Sequence, residues 1–254
     1  MKVFRPLYTV QYVIEPTSRL IMSYCCDAVA TDSGTLIPMV DSLQQIAGGR
    51  LKTMMADAAY CSILDLRGCA DRGIELLAPV QANSFTEKKK QAKTNRQIPR
   101  DKFRFDDARN CYQCPAGREL SYSGRERKQR HGGQSLWESR YRCIPAHCGI
   151  CPLAAQCLRP GSSSRTIKRL EGQELLDAQR AKMSDPEVQS RYALRGQTVE
   201  LGFADARNHR GLQRFHGRGI DRARTETGLL VLAQNLLRLD RLKRDAINSA
   251  NTPD

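Results

Sequence analysis

Between residues 81 and 160 the periodicity of this chain stops, and that interruption constrains its architecture most. On either side the sequence has the spacing of regular structure; between them it is first basic and then rich in cysteine. A chain of 254 residues divided in this way fits one large domain carrying an insertion.

The first regular stretch is an α/β pattern. Residues 7–14, LYTVQYVI, alternate and are rich in β-branched and aromatic side chains, which predicts a strand. EPTS makes a turn and RLIMSYCC (19–26) returns as the second strand of a hairpin. Residues 31–49 predict a helix with Asp32 or Ser33 as its cap, Leu36, Met39, Val40 and Leu43 on its buried face, and Gly48 and Gly49 at its end. A short buried strand (50–60) ends at Asp57, a helix spans 62–73, and another strand spans 74–80. The order β-β-α-β-α-β predicts a mixed α/β sheet.

The interruption begins with Lys88, Lys89, Lys90, Lys93, Arg96, Arg100, Lys102 and Arg104. Residues 111–160 then hold most of the cysteines. Regular structure resumes near Leu170. Asp185, Pro186 and Glu187 open a helix that is expected to carry YALRGQTVELGFADARNHRG (192–211). A last helix, roughly 221–243, is expected to bury Leu229, Leu232, Ala233, Leu236 and Leu239. The organisation expected is a partial core over 1–80, the insertion over 81–165, a helical part over 166–245, and a disordered tail over 246–254.

Composition narrows the partner. The formal net charge is +14 and the pI about 9.6. Such a balance in a chain without a membrane span points to a polyanion, nucleic acid first. No basic amphipathic helix with bulky aromatics and no lipidation motif supports a membrane surface instead. The N-terminal residues lack a secretory apolar core, so a cytoplasmic chain with ten reduced cysteines is expected.

Two acids stand out. Asp57 at the carboxyl end of a buried strand reads either as a cap for the next helix or as a metal-binding carboxylate, placed where α/β sheets place their ligands. Glu200 reads either as an exposed acid paired with a neighbouring arginine or as a second metal ligand. On an unbroken helix Arg207 lies about 20° from Glu200, and Tyr192 and Phe203 about 80° and 60° away. Two acids in a strongly basic chain suggest phosphoryl transfer on nucleic acid assisted by Mg²⁺.

The cysteines fall in CYQC (111–114) and CIPAHCGICPLAAQC (143–157). Pairs spaced C-x₂-C in a reduced chain point to zinc. Cys114, Cys148, Cys151 and Cys157 are the expected ligands; Cys143 and His147 are further candidates, and Cys111 may equally pack. Cys25, Cys26, Cys61 and Cys69 read as core. Plain buried cysteines are the alternative for the whole set.

Together YTVQYVIE, TDSGTLIPMVDSL, ADAAYCS, YQCPAGREL, CGICPLAAQC, YALRGQTVELGF, GLQRFHGRG and ETGLLVLAQNLLRL resemble bacterial insertion-sequence DDE transposases, from residue 7 to residue 240. The resemblance implies a ribonuclease-H-like catalytic domain with a cysteine-bearing insertion before the catalytic-Glu helix. It implies DNA transposition by metal-dependent cleavage and transfer of DNA strands, with Mg²⁺ or Mn²⁺ at Asp57 and Glu200. Tyr192, Arg195 and Glu200 fit the family's Tyr-x₂-Arg…Glu-x₆-Lys signature, with Arg207 in place of Lys. Arg214 and Arg218, in the segment after the Glu helix, would line the DNA path with Tyr192, Arg195 and Arg207. Transposon-end DNA is the implied partner and a homo-oligomer a possible assembly, with neither membrane nor small-molecule substrate. Two departures follow. Ala59 stands where the family has Gly, and no aspartate precedes Asp27, so the first strand and first catalytic Asp are expected to be missing. Glu15, near the end of the first visible strand, is the candidate replacement. A truncated, inactive copy is expected; the alternatives are a DNA-binding or regulatory fragment and a zinc-binding interaction module.

Overall fold

The computed structural model describes residues 8–29, 32, 34–48, 51–81, 97–129 and 135–250. Lys88, Lys89, Lys90, Lys93 and Arg96, the alternative cap Ser33, and residues 251–254 lie outside them. The chain forms two compact units, one of residues 1–80 with 176–254 and one of residues 81–175. It is a mixed α/β protein. Among the described residues no helix is long and apolar enough to cross a membrane.

In the first unit β1 (Thr9–Ile14) pairs antiparallel with β2 (Ile21–Asp27), with Tyr12 opposite Tyr24. α1 (Leu36–Ala47) buries Leu36, Met39, Val40 and Leu43, as their spacing requires, and ends on Gly48 in the left-handed region at φ 58°. Its N-cap is Thr35 rather than Asp32. The Asp32 carboxylate instead accepts from the Gln11 side chain at 2.9 Å, and its main-chain carbonyl accepts from the Thr35 hydroxyl.

β3 (Thr53–Met55) and β4 (Glu75–Leu77) pair in parallel across α2 (Ile63–Asp71). A reciprocal capping box of Ser62 and Asp65 starts α2. Leu36, Val40, Leu43, Met54, Ile74 and Leu76 form the core between these elements. The single sheet expected from the β-β-α-β-α-β order is two separate two-stranded pairs among the described residues.

Four helices complete this unit: α5 (Gln173–Met183), within which the division between units falls, α6 (Pro186–Ala193), α7 (Val199–His209) and α8 (Ile220–Ala250). Gln179 on α5 is buried and its amide donates to the carbonyls of Leu76 and Ala78, at 3.1 and 2.9 Å. An edge that would leave buried carbonyls unpaired is thereby satisfied. α7 lies against β1, with Phe203 stacked on Tyr12 at 4.6 Å. Gly202 permits that approach, since a Cβ there would stand 2.7 Å from Cδ1 of Ile14.

α8 corrects two expectations. It runs on to Ala250, so residues 246–250 continue the helix rather than belonging to a disordered tail. Its buried residues are Ala223, Thr227 and Val231, whereas Leu229, Leu232, Leu236 and Leu239 are exposed. The inward face is partly polar because it completes the hairpin. Asn235 accepts from the Ile21 N–H and donates to the Ile21 carbonyl, both at 2.9 Å, and Arg238 donates to the Ser18 carbonyl.

The second unit is an antiparallel meander of β5 (Arg104–Asp106), β6 (Cys111–Gln113), β7 (Glu119–Gln129), β8 (Ser135–Cys143) and β9 (Thr166–Leu170). Two short helices, α3 (Pro145–Gly149) and α4 (Ala154–Cys157), lie between β8 and β9. Regular sheet thus occupies much of a region that shows little periodicity in sequence. Phe103, Tyr112, Leu120, Tyr141 and Ile167 pack beneath it. The β7–β8 ladder slips one residue between Tyr122 and Gly124, and Gly124 takes φ 127°, a bulge conformation suited to glycine.

The Asn235 bonds generate a test. Asn235→Ala leaves both polar groups of partly buried Ile21 backbone without a partner, at a cost of about 1–3 kcal/mol. Urea unfolding should show the loss. An unchanged midpoint would mean that α8 is held to the hairpin by packing alone.

Candidate functional site

Asp57 leaves the end of β3, where the Ala56 N–H still donates to the Leu77 carbonyl at 3.0 Å. Its Oδ1 accepts from the Ala59 N–H at 2.8 Å and so caps the 3₁₀ turn of residues 58–60. The helix after it is capped by Ser62. Asp57 is therefore a cap, but for a different turn from the one expected, and the bond leaves its Oδ2 available. That oxygen faces the Arg195 guanidinium at 4.0 Å. Glu200, in the first turn of α7, faces the same guanidinium at 3.4 Å. One cation thus joins two carboxylates separated by 143 positions in the chain.

The link between α6 and α7 places Arg195. The expected continuous helix is broken at residues 194–198, which form turns around Gly196. Tyr192 is consequently on a different helix from Glu200, and the single face of Tyr, Phe, Glu and Arg does not form. Tyr192 instead donates its hydroxyl to the Ala56 carbonyl at 3.1 Å, tying α6 to the residue before Asp57. Phe203 packs on Tyr12 in the core. The signals for the break were Gly196 and then Thr198, a stop followed by a start.

Two phenols border this place: Tyr60, which the sequence had not singled out, and Tyr192, which was expected along the DNA path. The Tyr60 phenol has its pKa raised by burial first and then by the charges of Asp32 and Asp57. The Tyr192 phenol is also raised, by burial first, with Arg195 opposing and Asp57 adding. Glu15 stands apart as a turn acid: its two oxygens accept from the main-chain N–H groups of Thr17 and Ser18. Burial opposes the effect, but these bonds from Ser18 and Thr17 hold its pKa down to about 2.

The arginines expected along a DNA path divide. Arg195 lies between the two carboxylates, with only 20% of its side chain exposed. Arg207, Arg214 and Arg218 are exposed, and no ion pair involves them among the described residues. The acids nearest in sequence are engaged elsewhere. Asp205 pairs with Arg210 at 2.5 Å, Asp221 stands 4.0 Å from Arg224, and Glu226 accepts from the N–H groups of His216 and Gly217. Arg214, with Arg210, Leu212, Phe215, Leu229 and Leu230, lines a cavity of about 260 Å³.

In the second unit Cys114, Cys148, Cys151 and Cys157 line one small cavity together with Cys143 and His147. Burial raises the Cys143 thiol to about 12, with Cys148 and Cys114 adding to the shift. Burial also raises Cys157; Arg165 opposes it, and Cys148, Cys114 and Cys151 add to it. The thiols are thus close enough to feel one another. Among the described residues, however, no three Cys, His, Asp or Glu side chains form a group that could hold a metal as they stand. Cys111 is buried in β6 and does not line the cavity. Cys26, Cys61 and Cys69 are buried, as expected, while Cys25 is half-buried and donates to Asp27.

Fold and site together define a basic α/β protein that gathers distant acids at the end of a strand. Residues 113–240 match the family model of the transposase DDE domain, just over half of the chain. The chain belongs to the DDE transposase family. The matched segment contains Glu200 and the cysteine cavity, while Asp57 precedes it. Neither curated proteins nor solved structures give a match.

If the guanidinium competes with a metal for the two carboxylates, Arg195→Gln should tighten Mn²⁺ binding severalfold. Removing a like charge a few ångströms from a cation is worth on the order of 1 kcal/mol at water-like screening. Calorimetric titration decides the matter, because an arginine needed to position the acids would give weaker binding in the variant.

Proposed function

We propose that this chain acts on transposon-end DNA through a divalent-metal centre built on Asp57 and Glu200. The observation that carries the reading is the guanidinium shared by the two carboxylates. It marks a position where both acids already face one positive charge. Their oxygens are the hard donors that Mg²⁺ or Mn²⁺ prefers, and Mg²⁺ commonly uses one or two carboxylates with water and phosphate oxygens in its remaining positions. A metal bound there would polarise a phosphate and lower the pKa of an attacking hydroxyl.

The chain's own residues have distinct parts in this proposal. The Ala59 N–H fixes Asp57 so that Oδ2 points to the shared position. Tyr192 holds α6 against the strand end. Arg195 occupies the shared position before metal and DNA arrive and turns to a phosphate when they do. Arg207, Arg214 and Arg218, exposed and without an ion pair among the described residues, take phosphates of the strand beside Glu200. In this reading β1 to β4 belong to a ribonuclease-H-like sheet, and the second unit is the cysteine-bearing insertion. The exposed, heptad-spaced Leu229, Leu232, Leu236 and Leu239 would be the contact surface of a homo-oligomer.

We further propose that the chain alone does not cut or join DNA. Among the described residues two carboxylates meet at Arg195, and a third ligand would be needed for two-metal chemistry. Glu15 is a poor replacement because both its oxygens are occupied in their own turn. A non-catalytic DNA-binding or regulatory role is the alternative that follows. Labelled element-end DNA with Mg²⁺ or Mn²⁺ provides the test: binding without cleavage is expected. Cleavage by the unaltered chain that disappears in Glu200→Gln would overturn this conclusion.

The cysteine cavity supports a structural zinc held by Cys114, Cys148, Cys151 and Cys157. Cysteines gathered in one small space would, once deprotonated, suit an ion that prefers four sulfur ligands. Elemental analysis of the purified chain should find about one zinc per chain, and Cys148→Ser should abolish it. Full zinc retention in Cys114→Ser would instead point to Cys143 or His147 as the fourth ligand.

A further inference from the structure

The β7–β8 hairpin divides its charges between its two faces. On one face Glu126 pairs with Lys128 and Arg140, and Glu138 pairs with Lys168 at 2.9 Å. The cations there are neutralised within the sheet. On the other face Arg127 is directly opposite Trp137, and Arg125 is opposite Ser139. Arg125 and Arg127 are exposed and form no ion pair among the described residues. Their guanidinium carbons stand 4.4 and 5.9 Å from the centre of the Trp137 ring. The main-chain N–H of Trp137 donates to the Glu171 carboxylate at 3.4 Å, which leaves the indole out of that bond. Tyr122, on the same face, is also exposed.

Trp137 is 38% exposed and is the single tryptophan of the chain. A large aromatic partly in solvent, held by cation–π contact with two arginines that form no ion pair among the described residues, keeps exposed ring and unneutralised charge side by side. It is suited to a strand of nucleic acid. Stacking on an aromatic ring is available to any base, and a guanidinium lying over an indole keeps its N–H edge free for a phosphate. Arg125 and Arg127 are two residues apart on one strand, about 6.6 Å along it. That separation is comparable to the distance between successive phosphates of an extended strand.

We infer that the Arg125–Arg127–Trp137 face binds a DNA strand with unpaired bases, Trp137 stacking on a base and the arginines holding flanking phosphates. This site is separate from Asp57 and Glu200 and belongs to the other unit. The inference rests on the DNA-binding reading of the chain.

The test uses the full chain with a dye-labelled single-stranded oligonucleotide and with its duplex. Anisotropy of the dye reports DNA binding anywhere on the protein. Tryptophan emission reports this face alone, because Trp137 has no other tryptophan to mask it. Emission should be quenched by the unpaired strand over the same concentration range in which anisotropy rises. Arg125→Gln with Arg127→Gln should weaken binding severalfold and reduce the single-strand salt slope by about 1.4, for two lost phosphate contacts. Trp137→Ala should weaken binding, and Trp137→Phe should recover part of it. Circular dichroism of each variant checks that the sheet persists. Saturating anisotropy with unchanged emission, and unchanged affinity in the double variant, would sink the inference while leaving the DNA-binding reading intact. Quenching by the duplex alone would also overturn it. No anisotropy change with either oligonucleotide would remove both readings.

Discussion

Two ionised carboxylates repel each other unless a cation or a shared proton lies between them, and at the end of β3 the arrangement of α6 and α7 supplies the cation. Asp57 is delivered by the β3 end and Glu200 by the first turn of α7, and the Arg195 guanidinium lies between them. For Arg195 to reach that place the chain has to leave its helical path after Ala193 and re-enter it at Val199. Tyr192 fixes the departure point by bonding to Ala56. An acid within an arginine-rich segment is therefore explained locally before any ligand is considered, and a divalent ion would use the same electrostatics.

The first 80 residues were legible because their signals were local and mutually consistent. Alternation marked β1 and β2, the spacing of Leu36, Val40 and Leu43 marked α1, and Gly48 marked its end. α8 was misread for a physical reason. Hydrophobic spacing identifies the inward face only when that face is apolar, and here Asn235 and Arg238 turn inward to bond the hairpin backbone. The leucines that carried the strongest periodicity are on the outside. For the candidate site, the sequence named Asp57 and Glu200 as metal ligands and Arg195 as a DNA contact; both acids lie within 4.0 Å of that guanidinium. Their connection through one guanidinium depends on the turn at 194–198, which the expectation of an unbroken helix had concealed.

β7 and β8 show the opposite limit. Strand periodicity is visible when one face is buried, yet much of this ladder is solvated on both sides, and polar residues occupy successive positions from Arg125 to Gln129. Its pairing is held by main-chain bonds, by Glu126 with its two cations, and by cross-strand contacts such as Arg127 with Trp137. None of these has a signature in one strand alone. They become visible only once the register between the strands is known.

The outward leucines of α8 also determine how this protein behaves in a test tube. A net charge of +14 attracts polyanions, and salt weakens that attraction because added ions oppose counterion release on association. Strongly excluded salts such as sulfate act in the other direction on an apolar stripe, driving Leu229, Leu232, Leu236 and Leu239 to leave water. Conditions that strip the protein of nucleic acid thus depend on the identity of the anion as well as on ionic strength. Chloride separates the two effects, whereas sulfate exchanges one form of association for another.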